Sequence, residues 1–360
     1  MRIGIPREIK TMEGRVSLVP AAVAELVRQG HEVWVEHDAG RPSGYDDTRY
    51  EAAGAAIAPD APALYQQAQL IVKVKEPVEE ELRLLRADHL LFSFLHLAAA
   101  PELARSLQAI GLTAVAFETV SDETGGLPLL APMSDIAGRL ATQIGCRLLH
   151  QSEGGKGLLL GGLSGARRGR VMILGAGNAG GGAAQLAAAL GAELMVFDRD
   201  RRRLEQIRRL GPNVTALFAY HDLIAEEVTR ADLLIGAVLV PGARAPHLVS
   251  AEMVRSMQPG SVVIDISVDQ GGCIETTRPT TYADPTFLWE GVVHFGVTNM
   301  PGTVPRSASQ ALSAVLTPYV LALAGPGWER HPGLAAGLNI QGGRVIHPAV
   351  AEAVGKAVVA

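Results

Sequence analysis

Cysteine is almost missing from these 360 residues: two occur, Cys146 and Cys273. Two cysteines make no disulfide framework, and with no signal-peptide pattern at the start the expectation is a reducing cytoplasm. Basic tracts are missing too. The formal net charge is −5, and no Lys/Arg face or run suggests nucleic acid. No apolar run approaches the roughly 18 residues that spanning a bilayer requires. Neither a short-period repeat nor a low-complexity block appears, and no metal site is expected. These absences leave a soluble α/β chain long enough for two domains, each burying its own core.

What is present is concentrated between Arg170 and Asp198. The apolar run Arg170-Val-Met-Ile-Leu174 feeds into Gly175-Ala-Gly177-Asn178-Ala179-Gly180, and an Ala-rich helical stretch continues to Leu190. A second apolar run, Leu194 to Phe197, ends on Asp198. Strand, glycines, helix, strand and terminal acid in that order form one half of a dinucleotide site. Gly175 permits the tight turn, Gly177 lets backbone approach a pyrophosphate, and Gly180 lets helix and strand pack closely. The helix N-terminus offers free N–H groups and a positive dipole end to the phosphates. Asp198 falls where a carboxylate accepts hydrogen bonds from ribose hydroxyls and repels a 2′-phosphate, which favours NAD over NADP. Arg199, Arg201, Arg202 and Arg203 pull the other way, since arginine here can accommodate that phosphate. Arg203 is the one expected along the adenosine.

Around this stretch, short strand patterns alternate with helical ones. Strands are expected at Arg2–Ile5, His31–Glu36, Leu70–Lys75, His89–Leu95 and Thr113–Phe117, with helices at Ala21–Gln29 and Pro101–Ile110. Later strands begin at Arg170, Leu194, Ala231, Ser261 and Val292. The pattern predicts two doubly wound Rossmann-like domains with mostly parallel sheets. Residues 1–128 with 307–360 would form one domain and 129–306 the other, joined by long helices near Pro132–Gln151 and Ser307–Leu323. The stretch from Gly333 to Ala360 is too irregular to place.

Parallel α/β sheets bind ligands beyond the carboxyl ends of their strands. Lys75, His96 and Glu118 stand at such ends, and Arg15 lies in the loop after the first strand. Asp269 and Asn299 occupy the matching places in the second half. Each has an ordinary alternative: Arg15 pairing with Glu8 or Glu13 at the surface, Lys75 as a solvated strand end beside Lys73, His96 packed, Asp269 as a cap. Their shared location favours a site.

On these residues the chain resembles the L-alanine dehydrogenase family, nearly end to end. The match covers Arg2-Ile-Gly-Ile-Pro-Arg-Glu-Ile-Lys10 with Arg15, Val72-Lys-Val-Lys-Glu-Pro77 and Leu91-Phe-Ser-Phe-Leu-His-Leu97. It continues through Leu127 to Ser134, Gly175-Ala-Gly177, Ile235 to Gly242 and Asp265-Ile-Ser-Val-Asp-Gln-Gly-Gly272. The resemblance implies NAD-dependent conversion of L-alanine and water to pyruvate and ammonium, by a homohexamer. It implies Arg15 and Lys75 at the substrate carboxylate and carbonyl, His96 as general acid/base and Asp269 as second catalytic residue. Cofactor contacts are implied at Ser134, Asn178, Ala179, Asp198, Arg203, Val238, Leu239, Ile266, Ser267, Val268, Asp269, Arg278, Val297, Thr298, Asn299 and Met300. One departure stands out: Ala219-Tyr220 follows the third strand of the nucleotide half, where relatives usually carry serine.

The residue types suit that chemistry. A guanidinium grips a carboxylate bidentately, an ammonium stabilises negative oxygen, and an imidazole titrates near neutrality. Two rival readings keep the fold: the soluble NAD-binding part of a proton-translocating transhydrogenase, and a non-catalytic NAD-binding protein.

Overall fold

The computed structural model describes residues 1–238 and 245–359. They divide into two compact units, the first holding Met1–Met133 and the chain from Gly302 on, the second Ser134–Pro301.

Unit 1 opens with six parallel strands: β1 (Arg2–Ile5), β2 (Glu32–Glu36), β3 (Ala56–Ala58), β4 (Leu70–Val72), β5 (Leu90–Ser93) and β6 (Thr113–Ala116). Their order in the sheet is β3-β2-β1-β4-β5-β6, the doubly wound arrangement, so strand order reverses between β1 and β4. β4 and β5 are buried along their whole length, as strands covered on both faces must be. The helix Pro101–Ile110 matches its expected limits. Proline opens it with a φ already suited to the first turn, and Gly111 closes it at φ 87°.

Unit 2 repeats the plan with β7 (Arg170–Leu174), β8 (Glu193–Asp198), β9 (Val214–Phe218), β10 (Leu233–Gly236), β11 (Val262–Asp265), β12 (Thr286–Trp289) and β13 (Val292–Phe295). The order is β12-β13-β11-β10-β7-β8-β9, with β12 the antiparallel edge. Here the reversal falls between β7 and β10. The helix Ala131–Leu148 enters this unit and crosses the helix Asn178–Ala189 at close range. A Cβ on Gly138 would meet the Ala179 carbonyl oxygen at 1.8 Å, and one on Gly182 the Asp135 carboxylate at 2.3 Å. Thr142 Oγ1 also donates to the Ala183 carbonyl at 3.0 Å.

Three expectations change. The strand expected over Leu70–Lys75 stops at Val72, because the Glu8 carboxylate takes the Val74 and Lys75 amides at 2.5 and 3.3 Å. The C-terminal stretch does have a place: β14 (Leu338–Gln341) runs antiparallel to β6 and β15 (Arg344–Val345) completes the edge. From that stretch Ile340 and Val350 join Ile71, Leu91, Leu95 and Leu107 in the unit 1 core. Finally, the helix Pro305–Ala324 is long and apolar enough to cross a membrane by length and composition. It instead buries Leu312, Leu316, Val320 and Leu323 in this structure. Its Ser309 and Ser313 hydroxyls accept the Val16 and Val19 amides at 2.9 and 3.0 Å, fixing the loop after β1.

Candidate active site

The reversal point of the unit 1 sheet carries three charged residues of the loop after β1 and the end of β4. Arg15 is 3% exposed and lies bidentate on Glu13, Nε to Oε1 at 2.7 Å and Nη2 to Oε2 at 2.5 Å. Pairing with Glu13 is thus real, but it is buried rather than superficial. Nη1 points at Met133 Sδ, 3.2 Å away. Lys75 is half-buried nearby. Burial, and then the Arg15 guanidinium, pushes its ammonium below the usual lysine range. Among the described residues the Lys75 ammonium makes no hydrogen bond or ion pair, so a cation is held in place beside another cation. Such a pair is suited to an anionic ligand.

Lys73 behaves differently from the solvated neighbour expected. It is 1% exposed, and its ammonium meets Glu8 at 3.2 Å, Glu81 at 3.1 Å and the Lys75 carbonyl at 2.8 Å. Burial opposes its charge, but the two carboxylates outweigh burial and raise its pKa. Glu8 is pushed up by burial, with Glu81 adding to the effect. Tyr65 closes the network by donating to Glu81 at 3.2 Å. This cluster ties the strand end that presents Lys75.

The next strand end, after β5, presents His96. Its side chain is exposed although Leu95 and Leu97 on either side are buried, and its φ is +50°. The ring stacks on Phe94 with centroids 5.9 Å apart and planes 4° apart. His96 is therefore not the packed core histidine of the ordinary alternative. The adjacency β1-β4-β5-β6 sets the ends bearing Arg15, Lys75, His96 and Glu118 side by side along one edge of the sheet.

In unit 2 the glycines divide their work. Gly175 has φ 94°, which L side chains rarely adopt, and a Cβ on Gly180 would strike the Gly175 carbonyl oxygen at 1.7 Å. A Cβ on Gly177 would meet only Arg203 Nη1, at 3.6 Å, so this turn is open in front of the Asn178–Ala189 helix that contains Ala179. Asp198 ends β8 and accepts the Ala176 amide at 2.6 Å and the Asp200 amide at 2.7 Å. Arg203 Nη1 lies 4.0 Å from that carboxylate. Backbone amides, an acid and an arginine thus converge on an open turn. Ser134 stands in the first turn of the helix Ala131–Leu148, and Val238 follows β10. Leu239 lies outside the described residues.

After β11 the chain makes a compact turn through Ile266, Ser267, Val268 and exposed Asp269, with Val268–Gln270 a single 3₁₀ turn. The turn is built on Asp265, 1% exposed, which accepts the Ser267, Cys273 and Ile274 amides at 3.0, 2.9 and 3.2 Å and the Thr277 hydroxyl at 2.9 Å. Burial raises the Asp265 pKa against those donors. Val297 and Met300 are buried, Thr298 is exposed, and Asn299 between them adopts φ 57°. Arg278 is exposed and lies over the Phe287 ring at 4.4 Å.

Two family models match along the chain: the alanine dehydrogenase/PNT N-terminal domain over residues 4–137 and its C-terminal domain over residues 141–348. The alanine dehydrogenase of Halomonas elongata is 47% identical over 360 residues, covering 99% of this chain and 97% of that one. The chain belongs to the alanine dehydrogenase/PNT family. A solved L-alanine dehydrogenase superposes with TM-score 0.95 at 48% identity, covering 99% of both chains. The transhydrogenase of Sinorhizobium meliloti superposes with TM-score 0.85 at 28% identity, covering 97% of this chain and all of that one.

Membership in the alanine dehydrogenase/PNT family, together with the Rossmann topology, implies a nicotinamide dinucleotide cofactor, and the residues fit one. The open space at Gly177, the helix N-terminus behind it and the acid at the end of β8 are what a dinucleotide requires. Sequence reasoning missed the parts that work through other residues: Glu8, Lys73 and Glu81 behind Lys75, and Asp265 behind Asp269. Glu8 and Lys73 sat inside matched segments, yet only the tertiary pairing reveals their partners.

Proposed function

We propose that this chain is an NAD-dependent L-alanine dehydrogenase. It would catalyse L-alanine + NAD⁺ + water ⇌ pyruvate + ammonium + NADH + a proton. The observation that carries this reading is the cation pair at the unit 1 reversal point: buried Arg15 beside a Lys75 ammonium with no partner among the described residues. A module that only presents a cofactor needs no such carboxylate grip.

Arg15 and Lys75 would hold the substrate carboxylate and carbonyl side, fixing the direction in which the single hydrogen of the substrate carbon is aimed. When bound, NAD⁺ supplies the acceptor for that hydride. His96 would take a proton from the water that adds to the resulting imine carbon, and return protons as ammonia departs. Lys75 would stabilise negative charge developing on the substrate oxygen. Asp269 is assigned the second catalytic role, as a charge-balancing acid. Gly175, Gly177, Asn178, Ala179 and Gly180 would receive the pyrophosphate, and Asp198 with Arg203 the adenosine ribose. Ser134, Val238, Leu239, Ile266, Ser267, Val268, Arg278, Val297, Thr298, Asn299 and Met300 complete the proposed contacts. A cytoplasmic homohexamer is part of the same reading.

The test is NADH oxidation by purified protein with pyruvate, run with and without ammonium. Oxidation that requires both supports the dehydrogenase. Tight NADH binding without turnover would leave a cofactor-presenting or sensing protein of the transhydrogenase type.

A further inference from the structure

We propose that Glu118 is a positioning residue that holds His96 in its working conformation; this rests on His96 as the general acid/base. Glu118 follows β6 in the short 3₁₀ turn Phe117–Thr119 and is half-buried. Its two oxygens take two successive amides of the β5 loop, Oε1 from His96 at 2.6 Å and Oε2 from Leu95 at 3.2 Å. Among the described residues these are its only hydrogen-bond partners, and no lysine or arginine pairs with it. A half-buried carboxylate with no lysine or arginine on it, His347 as a nearby titratable neighbour, and both oxygens spent on two amides of one loop, has the geometry of a clamp. Charge-assisted bonds of this kind are roughly twice as strong as neutral ones.

The clamp acts where the backbone needs it. His96 has φ +50°, a left-handed backbone conformation that residues with a Cβ rarely adopt. Such conformations persist only where their surroundings over-determine them. Relaxing φ to the β or right-handed region would swing the imidazole off its present direction. A second support reaches His96 from the same side: its ring stacks on Phe94, which packs edge-on against Phe117 with centroids 5.0 Å apart. Phe117 is the immediate neighbour of Glu118. One turn after β6 therefore holds both backbone and ring of the β5 loop.

The test is a double-mutant cycle with Glu118→Gln and His96→Ala, reading kcat, KM for pyruvate and NADH affinity by fluorescence. Glutamine retains the shape but can accept from only one of the two amides. Alone, it should lower kcat about 10- to 100-fold, the scale of a displaced catalytic group, with NADH affinity unchanged. In the His96→Ala background the same change should cost less than about twofold, because the two act as one unit. An additive loss in that background, or normal kcat in Glu118→Gln, overturns the clamp. Near-normal turnover in His96→Ala alone would overturn the assignment of His96, and the clamp with it. Should the glutamine variant fail to fold, Glu118→Asp, which keeps the charge but shortens the reach, enters the same cycle with the same expectations.

Discussion

The guanidinium of Arg15 and the carboxylate of Glu13 form a bidentate pair, their side chains 3% and 1% exposed. Two residues apart in sequence, they close a tight loop in which the Arg15 amide also bonds Glu13 Oε1 at 3.1 Å. Glu13 thus fixes the plane of the guanidinium. Removing one partner of a buried pair costs far more than the pair contributes, because desolvated charge remains. Glu13→Gln should lower stability by about 3 kcal/mol or more on this basis. It should also raise KM for pyruvate while leaving NADH affinity alone. Denaturant unfolding and steady-state kinetics check both parts, and unchanged values in both would mean that the pair does not organise the site.

In the proposed reading Asp198 governs cofactor choice. Preference for NAD over NADP should be at least about tenfold, roughly 1.4 kcal/mol. The structure adds that its carboxylate also holds the Ala176 amide at 2.6 Å, within the glycine turn. Asp198→Ala should therefore weaken NAD⁺ binding and, at the same time, narrow the gap to NADP⁺, with Arg203 close by to meet a 2′-phosphate. Equal kcat/KM for the two cofactors in the unmodified protein would contradict the reading.

The nucleotide half was legible in the sequence because each piece is locally determined. A turn at φ 94° demands Gly175, and Gly180 is required by contact within six residues. Lys75 and His96 stood out just past strand ends, and Arg15 in the loop after β1, because parallel strands expose only their ends and the loops that follow. What could not be read depends on partners remote in sequence. Lys73 resembles any lysine at a solvated strand end until Glu8, 65 residues earlier, is seen against it. Glu118 was visible at a strand end, but its task emerges only from the amides of a loop 22 residues away. β14 lies antiparallel with a register shift between Leu338 and Ile340, so its four residues show no clean alternation.

Lys73 provides a stability test with a definite pH sign. Lys73→Met would leave Glu8 and Glu81 facing each other without their cation. Breaking such a pair costs about 3–5 kcal/mol near neutral pH. The Glu8 carboxyl already lies above its ordinary value through burial, and losing Lys73 would raise it further. A native pKa above the unfolded one means the native state binds more protons in that window, so stability falls as pH rises through it. The deficit of Lys73→Met should therefore shrink on acidification from neutral pH toward the ordinary glutamate value. Urea unfolding of both proteins across that range reads the difference directly, and a deficit that grows toward acid would show the carboxylates are not the cause.

Lys75 gives the opposite case, a cation held below its ordinary value. Burial lowers its pKa first, and the neighbouring Arg15 charge lowers it further. An unfolded lysine titrates near 10.5, so the native ammonium loses its proton earlier as pH rises. Between the native value and 10.5 the unfolded chain holds more protons, so stability from this group rises with pH across that window. The cost of keeping the ammonium is full only below the native value. With Lys75 at the substrate carboxylate, as proposed, binding would run the other way, since attraction for a carboxylate needs the charged form. KM for pyruvate should therefore climb on the alkaline side before the ordinary lysine range is reached. Lys75→Arg retains its charge past about pH 12 but replaces a compact ammonium by a planar fork. It should raise KM at neutral pH by about tenfold, roughly 1.4 kcal/mol of lost contact, and flatten the alkaline climb. Measuring KM for both proteins from about pH 7 upward separates charge from shape. Identical, flat profiles for the two would remove Lys75 from the substrate carboxylate.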